Sequence, residues 1–412
     1  MSAEQMLAPL AETLGPGALE HHDPVSVDGV SVRATLHPRD GRALAQMLAE
    51  MGRHGIAGLP RGGGTRLGIG NRPARADVLI STRKLRGVDT FEPAEGVCHA
   101  GAGTPLAELR DIVRAQRWEL PFDVADAAAT LGGALASAAV GPRTQGYGLP
   151  RDVVLGLEVV LATGERTRCG GRVVKNVTGY DLGKLYTGCF GTLGVIEGAW
   201  LRLRPAPERV ALLEAPGAEI APACEGGLEA ARRSSVRACA LLCDAGAALR
   251  CVVELAGDAA SVERDVHWLS DRLRAVPAPA DALLRVQRRQ CGTQGPHELR
   301  FRLGVLPAQL SAATQQLAAE GARILAYPGL NLVYAHFALA EADDLEGAAR
   351  AFRSAAAVAS PGALLCEAAP EAVKRGRDVF SGDPALLPLM RALKQRFDPA
   401  AVLNPGRFAG GI

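Results

Sequence analysis

Apolar residues recur at helical spacing in the segment that follows Asp40. Asp40 is a suitable N-cap, and the segment to about Arg53 carries four apolar residues on one face: Leu44, Met47, Leu48 and Met51. A short apolar run at Ile56–Leu59 and another at Val78–Ser81 each predict a buried strand. We therefore expect helix and strand to alternate in this part of the chain.

A second helix is predicted to begin at Thr104, because Pro105 would then occupy its first position. Its apolar face is formed by Leu106, Leu109, Ile112 and Val113. The alternation of helix and strand thus extends over residues 40–118.

The pattern changes at Pro205-Ala206-Pro207, beyond which glycine becomes rarer and alanine and arginine become more frequent. We place a domain boundary near residue 206. Strands are predicted at 210–214, 236–242, 249–255, 299–305, 323–326, 330–339 and 363–366, and helices at 222–233, 259–274, 308–319, 343–358 and 383–397. This order predicts an α+β domain built around an antiparallel sheet.

Length and charge narrow the class of protein. A chain of 412 residues predicts two or three domains. A net charge of +2 without any run of lysine or arginine argues against a nucleic-acid partner. The N-terminus lacks the pattern of a secretory signal, and no apolar run approaches the ~18 residues of a membrane span.

Nine cysteines are scattered along the chain, and none forms a C-x-x-C pair. Together with the missing signal, this distribution is typical of reduced thiols in a cytoplasm. Cys239, Cys243 and Cys251 are the most closely spaced, and we interpret them as core residues rather than as ligands of a metal or an iron–sulfur cluster.

Two glycine-rich stretches are candidates for chemistry. In the first, from Pro60 to Gly70, three consecutive glycines follow a predicted strand. Their backbone N–H groups could approach the two phosphates of a dinucleotide, although a flexible loop would have the same composition. The second, Thr130–Ala138, is a run of small residues that would let a neighbouring helix or a flat ligand approach closely.

Three common cofactor and metal motifs are excluded. Gly62-x-Gly64 lacks the third glycine of a Rossmann fingerprint, and the segment Gly179–Lys184 is one residue short of a P-loop. His297-Glu298 is not followed by the second histidine of a zinc-protease motif.

Four segments in order, residues 60–70, 129–138, 175–196 and 397–408, together resemble the FAD-binding oxidoreductases of the vanillyl-alcohol-oxidase (PCMH) type. Within that family the chain is most similar to the E-type FAD-binding subunits of bacterial glycolate oxidase. The resemblance implies an α+β fold. It places a PCMH-type FAD-binding domain of two α+β subdomains at 1–205, a substrate or cap α+β domain with an antiparallel sheet at 206–395, and a segment returning to the FAD domain at 396–412.

The resemblance also implies roles for individual residues. The pyrophosphate would be held by the loop formed by Arg61, Gly62, Gly63, Gly64 and Thr65, with Pro60, Leu67 and Gly68 beside it. The phosphate and flavin side would be lined by Thr130, Leu131, Gly132, Gly133 and Ser137. Residues near the adenine end would be Gly191, Gly194, Val195 and Ile196, and Asn404 would lie beside the flavin.

Two departures from the family pattern change what is expected. Many relatives attach FAD covalently through a histidine just after the glycines, where this chain has Thr65, so we predict noncovalent FAD. Related catalytic subunits have a histidine-rich metal pattern that corresponds to Tyr327–His336, and here its first histidine and its aspartate are missing. No metal site and no catalytic base are therefore predicted; Arg300, Arg302, Tyr334 and His336 are only candidates to bind a carboxylate or a proton.

The resemblance implies an FAD-binding subunit of a glycolate (2-hydroxy-acid) oxidase or dehydrogenase complex, which passes electrons from glycolate through FAD to a partner subunit. Its expected partners are a sister catalytic flavoprotein subunit and an iron–sulfur subunit. A cytoplasmic location is expected, peripheral to the inner membrane only through the complex. The alternatives are a non-catalytic flavin relay or assembly subunit and a free-standing dehydrogenase of another hydroxy acid or sugar acid.

Overall fold

The computed structural model describes residues 3–124, 126–172, 181–217, 219–244, 249–292 and 297–412. The first part of the third segment of the resemblance, Lys175 to Tyr180, lies outside the described residues. The helices are α1 (Ala3–Leu14), α2 (Gly41–His54), α3 (Leu106–Arg114), α4 (Leu131–Ala136), α5 (Thr144–Tyr147), α6 (Pro150–Val153), α7 (Leu182–Tyr186), α8 (Ile220–Ala231), α9 (Ala259–Leu273), α10 (Ala282–Cys291), α11 (Leu310–Ala319), α12 (Leu345–Val358), α13 (Glu371–Lys374) and α14 (Leu387–Phe397).

The strands follow the same order along the chain. They are β1 (Leu19–Val27), β2 (Val30–Leu36), β3 (Gly58–Arg61), β4 (Val78–Ser81), β5 (Val88–Glu92), β6 (Val97–Gly101), β7 (Trp118–Glu119), β8 (Val154–Val160), β9 (Arg166–Gly170), β10 (Val195–Arg202), β11 (Arg204–Pro205), β12 (Arg209–Gly217), β13 (Val236–Cys243), β14 (Leu249–Gly257), β15 (Val276–Pro277), β16 (Glu298–Gly304), β17 (Arg323–Tyr327), β18 (Leu332–Ala338) and β19 (Leu364–Ala368). Mixed α+β architecture with antiparallel sheets is thus confirmed.

The chain divides into two compact units, each made of separate stretches. The first contains Met1–Ala139, Pro150–Pro205 and Pro384–Ile412, and the second contains Val140–Leu149 and Ala206–Asp383. The sequence-based division differs at two places, because it put residues 140–149 in the first domain and 384–395 in the second.

Side-chain contacts explain both differences. Within the second unit, Arg143 donates a hydrogen bond of 2.8 Å to Glu254 on β14, and Gln145 donates one of 3.2 Å to the carbonyl of Ala231. Within the first unit, Lys394 of α14 donates a hydrogen bond of 2.8 Å to the carbonyl of Thr192. These long-range contacts leave no trace in local composition.

The first unit contains two main sheets. One has the strand order β1-β2-β4-β3, with β4 parallel to β2 and β3, and the other has the antiparallel order β5-β6-β10-β8-β9. Helix α2 contributes to the core that the two sheets share, since its buried face packs with residues of β4 and with Val160 and Val195 of the second sheet. Its start is as predicted: Asp40 accepts a 2.8 Å hydrogen bond from the backbone N–H of Ala43.

Two helix starts differ from prediction. The Thr104 hydroxyl does not cap α3; it donates to the carbonyl of Gly87 and accepts from the Gly87 N–H, tying this turn to the segment before β5. The last helix begins at Leu387 rather than at Asp383-Pro384, and Leu386 at its N-cap position has no capping side chain. The hydroxyl of Thr104 is thus used in another contact, and Asp383 lies before the start of the last helix.

The second unit is organised by one eight-stranded sheet with the order β15-β12-β14-β13-β17-β18-β16-β19. Every pairing recorded between its strands is antiparallel. Residues of α10 pack on the face formed by Ala240, Leu325 and Tyr334. Among the described residues, we find no helix that combines the length and the apolar character needed to cross a membrane.

Candidate cofactor site

A cleft in the first unit brings the two glycine-rich stretches together. The empty space in the cleft, counted together with its solvent-open mouth, is about 660 Å³. Predicted residues that line it are Pro60, Arg61, Gly62, Gly63, Gly64, Thr65, Leu67, Thr130, Gly133, Ser137 and Asn404. It is also lined by Arg66, Ile69, Val124, Ala129, Ala134, Ala136, Phe190 and Arg407, to which the sequence assigned no individual role.

The glycine loop follows β3 and lies directly against the segment before α4. A Cβ atom on Gly62 would lie 2.1 Å from Oγ1 of Thr130, and one on Gly63 would lie 1.7 Å from the carbonyl oxygen of Ala128. Gly64 has φ = +81°, a left-handed conformation that favours glycine. The three glycines therefore permit a close backbone contact that sets the shape of the loop, as well as leaving its N–H groups accessible.

The loop has unused hydrogen-bonding capacity suited to an anion. Backbone N–H groups of Gly63, Gly64 and Thr65 find no acceptor among the described residues. The Nε atom of Arg61 is buried without a hydrogen-bond partner, although its side chain lines the cleft. A buried polar atom such as Arg61 Nε is nearly always paired, and consecutive loop N–H groups form an anion-binding concavity, so this loop fits a ligand with phosphate oxygens.

Helix α4 forms the opposite side of the cleft. Its N-cap, Thr130, accepts a 3.4 Å hydrogen bond from the Gly133 N–H, and Ser137 donates one of 2.8 Å to the Gly133 carbonyl. Leu131 and Gly132 do not line the cleft. Leu131 is part of the hydrophobic core, and a Cβ on Gly132 would lie 2.7 Å from that of Ala102.

The segment before β10 extends the α4 side. The N–H of Gly188 donates to the carbonyl of Leu135, and that of Phe190 donates to Ala136, so this segment follows the end of α4. Phe190 has φ = +55° and lines the cleft, whereas Gly191 lies behind it, with its Cβ position 3.2 Å from Pro60 Cγ. Gly194, Val195 and Ile196 are buried in or beside β10 and do not line this cleft; Gly68 does not line it either.

The C-terminal segment passes alongside β3. Gly58 and Leu403 form a parallel bridge, and the N–H of Asn404 donates a 3.0 Å hydrogen bond to the Gly58 carbonyl. The side-chain amide of Asn404 donates to the carbonyl of Phe190. Asn404 therefore connects the strand that carries the glycine loop with the segment that follows α4.

Arg407 holds the far end of the glycine loop. Its guanidinium donates to Asp28 at 2.7 Å and to the carbonyls of Ile69 at 2.6 Å and Asn71 at 2.7 Å, and it also donates to Leu67. Burial lowers the pKa of Arg407, and Asp28 opposes that shift. No local pattern marks Arg407 for this role, because its partners lie more than 330 positions away along the chain.

A buried ion pair fixes the start of the same segment. Lys394 Nζ lies 2.6 Å from Asp398 and also donates to the carbonyls of Thr192 and Leu403. Asp398 in turn accepts from the N–H groups of Val402 and Leu403 at 3.0 and 2.8 Å. This network was not predicted, although the spacing of four residues between the two charges on a helix is a weak signal for it.

In the second unit, the stretch that resembles a metal pattern is occupied by a hydrogen-bonded tyrosine pair. Tyr327 donates a 2.7 Å hydrogen bond to Gln290, whose amide nitrogen donates to the Tyr334 hydroxyl at 2.9 Å. All three side chains are buried. In the part of the chain that the structure describes, no group of three or more His, Cys, Asp or Glu side chains could hold a metal ion.

Comparison with known proteins assigns the cofactor. Residues 32–170 match the family model described as "FAD binding domain". The chain is 35% identical over 227 residues to the mitochondrial D-2-hydroxyglutarate dehydrogenase of Bos taurus, which covers 52% of this chain and 42% of that protein. It is 36% identical over 138 residues to glycolate oxidase subunit GlcE of Escherichia coli, covering 33% of this chain and 39% of that protein.

The chain thus spans less than half the length of these curated relatives. Among solved structures, substrate-bound p-cresol methylhydroxylase is similar with a TM-score of 0.73 and 15% identity, over 98% of this chain and 96% of that one. At this identity the likeness shows the fold alone. The predicted PCMH-type resemblance and the FAD cofactor are both confirmed. The chain is a flavoprotein with the p-cresol methylhydroxylase fold, and residues 32–170 are its FAD binding domain.

Proposed function

We propose that this chain is the FAD-binding subunit of a glycolate (2-hydroxy-acid) oxidase or dehydrogenase complex. The cleft carries the proposal, because its glycine loop and the unpartnered Nε of Arg61 fit the FAD pyrophosphate. The substrate class comes from the relatives, whose names specify oxidation of 2-hydroxyglutarate and glycolate. A sister catalytic flavoprotein and an iron–sulfur subunit would complete the complex.

The residues of the cleft would act by positioning. The glycine loop and α4 would hold the phosphates between them, and Asn404 and Arg407 would keep the loop in place. FAD, when bound, supplies a two-electron acceptor for oxidation of the hydroxy acid. The chain's own contribution is therefore to orient the cofactor and to set its electrostatic surroundings.

One observation favours a second candidate, a flavin relay or assembly subunit without its own substrate chemistry. Tyr327 and Tyr334 are fully buried and hydrogen-bonded to Gln290, within the stretch that corresponds to the histidine-rich metal pattern of related catalytic subunits. A phenol held in such a network at neutral pH is a poor metal ligand. Substrate oxidation would then belong to the partner, and this flavin would receive electrons from it.

Anaerobic reduction separates the two candidates. If the proposed function is correct, glycolate added without oxygen to the purified FAD-loaded chain bleaches the flavin absorbance. The measurement is the visible spectrum before and after addition, with D-lactate and buffer alone as comparisons. Bleaching only after co-expression with the sister flavoprotein supports the relay, and an unchanged spectrum in both preparations contradicts both candidates.

Noncovalent attachment gives a second prediction, since Thr65 lines the cleft at the loop position where the resemblance places the FAD-linking histidine of many family members. We expect acid precipitation to release all the FAD into the supernatant, where its absorbance is measured. Filtration of the native protein is the control, because the flavin must stay with the protein before denaturation. Yellow colour retained in the washed precipitate would show a covalent bond.

A further inference from the structure

A cluster of charged side chains lies on the same face of the second unit's sheet as the tyrosine pair and next to it. Arg300 and Arg302 on β16 pair across the strands with His336 and Tyr334 on β18, and Arg323 on β17 also pairs with His336. Alternate residues of a strand point to the same face, so these side chains share one surface with Glu298. The sheet therefore concentrates guanidinium groups around a single buried histidine.

Cations outnumber carboxylates in this cluster. The four guanidiniums are those of Arg289, Arg300, Arg302 and Arg323, and their acidic neighbours are Asp244, Glu298 and Glu367. The two contacts to Glu367 are long, at 3.6 Å from Arg300 and 3.4 Å from Arg302. With four positive groups and three negative ones, the named side chains leave one positive charge uncompensated.

The charges of Glu298 and His336, both buried in the cluster, follow from the directions in which their pKa values are shifted. Burial raises the pKa of the Glu298 carboxyl, but the His336 ring, 3.5 Å away, and the hydrogen bond from Arg323 lower it more strongly and leave it at about 2. Burial lowers the pKa of His336, with Arg289 and Arg300 acting in the same direction and Glu298 opposing. At neutral pH the histidine therefore does not add to the positive charge, and the surplus comes from arginine.

Several buried polar atoms of the cluster have no hydrogen-bond partner among the described residues. They are Nε of Arg289, Nε of Arg300, Nη1 of Arg323 and both ring nitrogens of His336. Arg300 is 8% exposed and His336 is 1% exposed, so bulk water has little access to hydrogen-bond with their buried atoms. Buried donors are nearly always paired, so several unpaired ones in one place indicate a ligand site.

That ligand is not a metal ion. The only histidine of the cluster within the described residues lies beside Arg289 and Arg300, whose charges repel a divalent cation. Guanidinium groups donate hydrogen bonds and cannot coordinate a metal. The donor set is instead that of an anion site, because guanidinium forks match the two oxygens of a carboxylate.

We propose that the Arg300–Arg302–Arg323 face of the second unit binds a small carboxylate anion without a metal. Arg302 and Arg323 have side chains 21% exposed, so the cluster can be reached from solvent. Identifying this anion with the 2-hydroxy-acid substrate rests on the proposed function, whereas carboxylate binding itself does not. Arg300 and Arg302 would donate to the carboxylate oxygens, in place of the metal expected from the family pattern.

Calorimetric titration of the FAD-loaded chain with glycolate in excess EDTA tests the proposal. We expect saturable binding that EDTA does not change. Replacement of the partly exposed Arg302, as Arg302→Gln, should weaken binding by about 10- to 100-fold, the effect of losing one charge-assisted hydrogen bond. Arg353→Gln, at an exposed arginine of α12, is the matched control and should bind within about twofold of the wild type.

Each other outcome overturns either the site or the function. Absence of saturable binding, loss of binding in EDTA, or equal affinities of Arg302→Gln and Arg353→Gln would each contradict the carboxylate site. Thermal melting verifies that Arg302→Gln is folded, and Arg300→Gln is a second variant at the same face. Glycolate binding without flavin bleaching would keep the site and reject the proposed function. Flavin bleaching by glycolate, with the same KM for glycolate in Arg302→Gln as in the wild type, would keep the proposed function and reject the carboxylate site.

Discussion

Replacing Gly63 with valine is expected to weaken FAD binding by about a hundredfold or more, the effect of losing two charge-assisted hydrogen bonds of roughly 1.5–3 kcal/mol each. A Cβ at this position would lie 1.7 Å from the Ala128 carbonyl oxygen, so the loop would have to move away from α4. The N–H groups that we assign to the pyrophosphate would move with it. The measurement is a fluorescence titration of the apoprotein with FAD.

Gly68→Val is the matched control in the same loop. A Cβ on Gly68 meets no atom within 4 Å, and this residue does not line the cleft, so we expect its FAD affinity to remain within about threefold of the wild type. Circular dichroism of both apoproteins verifies that Gly63→Val retains its fold. Equal FAD affinities for the two variants would show that the glycine loop does not hold the cofactor.

Local sequence patterns predicted much of the fold, and the reason is visible in α2 and β4. The four apolar residues predicted for α2 are all buried, and β4 covers the predicted Val78–Ser81. The residues of such an element are enough to predict it, because an apolar face marks the helix and a continuous apolar run marks the strand. Seven of the eight strands in the second unit's sheet were predicted from apolar runs of this kind, and the two-residue strand β15 was not.

The elements that sequence analysis missed are those whose buried faces include polar residues or lack a regular apolar period. Helix α10 has the sequence ALLRVQRRQC, whose buried face includes Gln287 and Gln290, so its apolar period is weak. The hairpin β1–β2 alternates exposed and buried residues irregularly and has a register shift between His21 and Val25. Burial of polar groups depends on tertiary partners, which a local pattern does not report.

The candidate site shows the same division. The glycine loop and the Thr130 segment were found because glycine runs and caps are local signals. Phe190 and Arg407 were not, because their place in the cleft depends on α4 and on the loop at 67–71. Among the predicted residues, those of β10 are buried in the sheet, so their assignment to the adenine end stays a prediction.

The second large effect concerns the ion pair that fixes the C-terminal segment. We expect Lys394→Met to reduce the free energy of unfolding by about 3–5 kcal/mol, the usual cost of leaving one charge of a buried pair without its partner. Asp398 is 1% exposed, and it would keep only the N–H groups of Val402 and Leu403 among its partners described above. Burial already lowers the pKa of Lys394, and Asp398 opposes that shift, so the two charges depend on each other.

Urea unfolding of the apoprotein measures this effect, and FAD titration measures its consequence for the cleft. Arg391→Met, on the same helix but exposed and with a single 3.5 Å hydrogen bond to the Gly410 carbonyl, is the control and should cost about 0.5 kcal/mol or less. Since Asn404 follows this network directly, Lys394→Met should also weaken FAD binding, whereas Arg391→Met should not. A loss of stability below about 1 kcal/mol would mean that the C-terminal segment is held by Arg407 and the Gly58 bridge without the ion pair. Normal stability with weakened FAD binding would instead place Lys394 in the cofactor site itself.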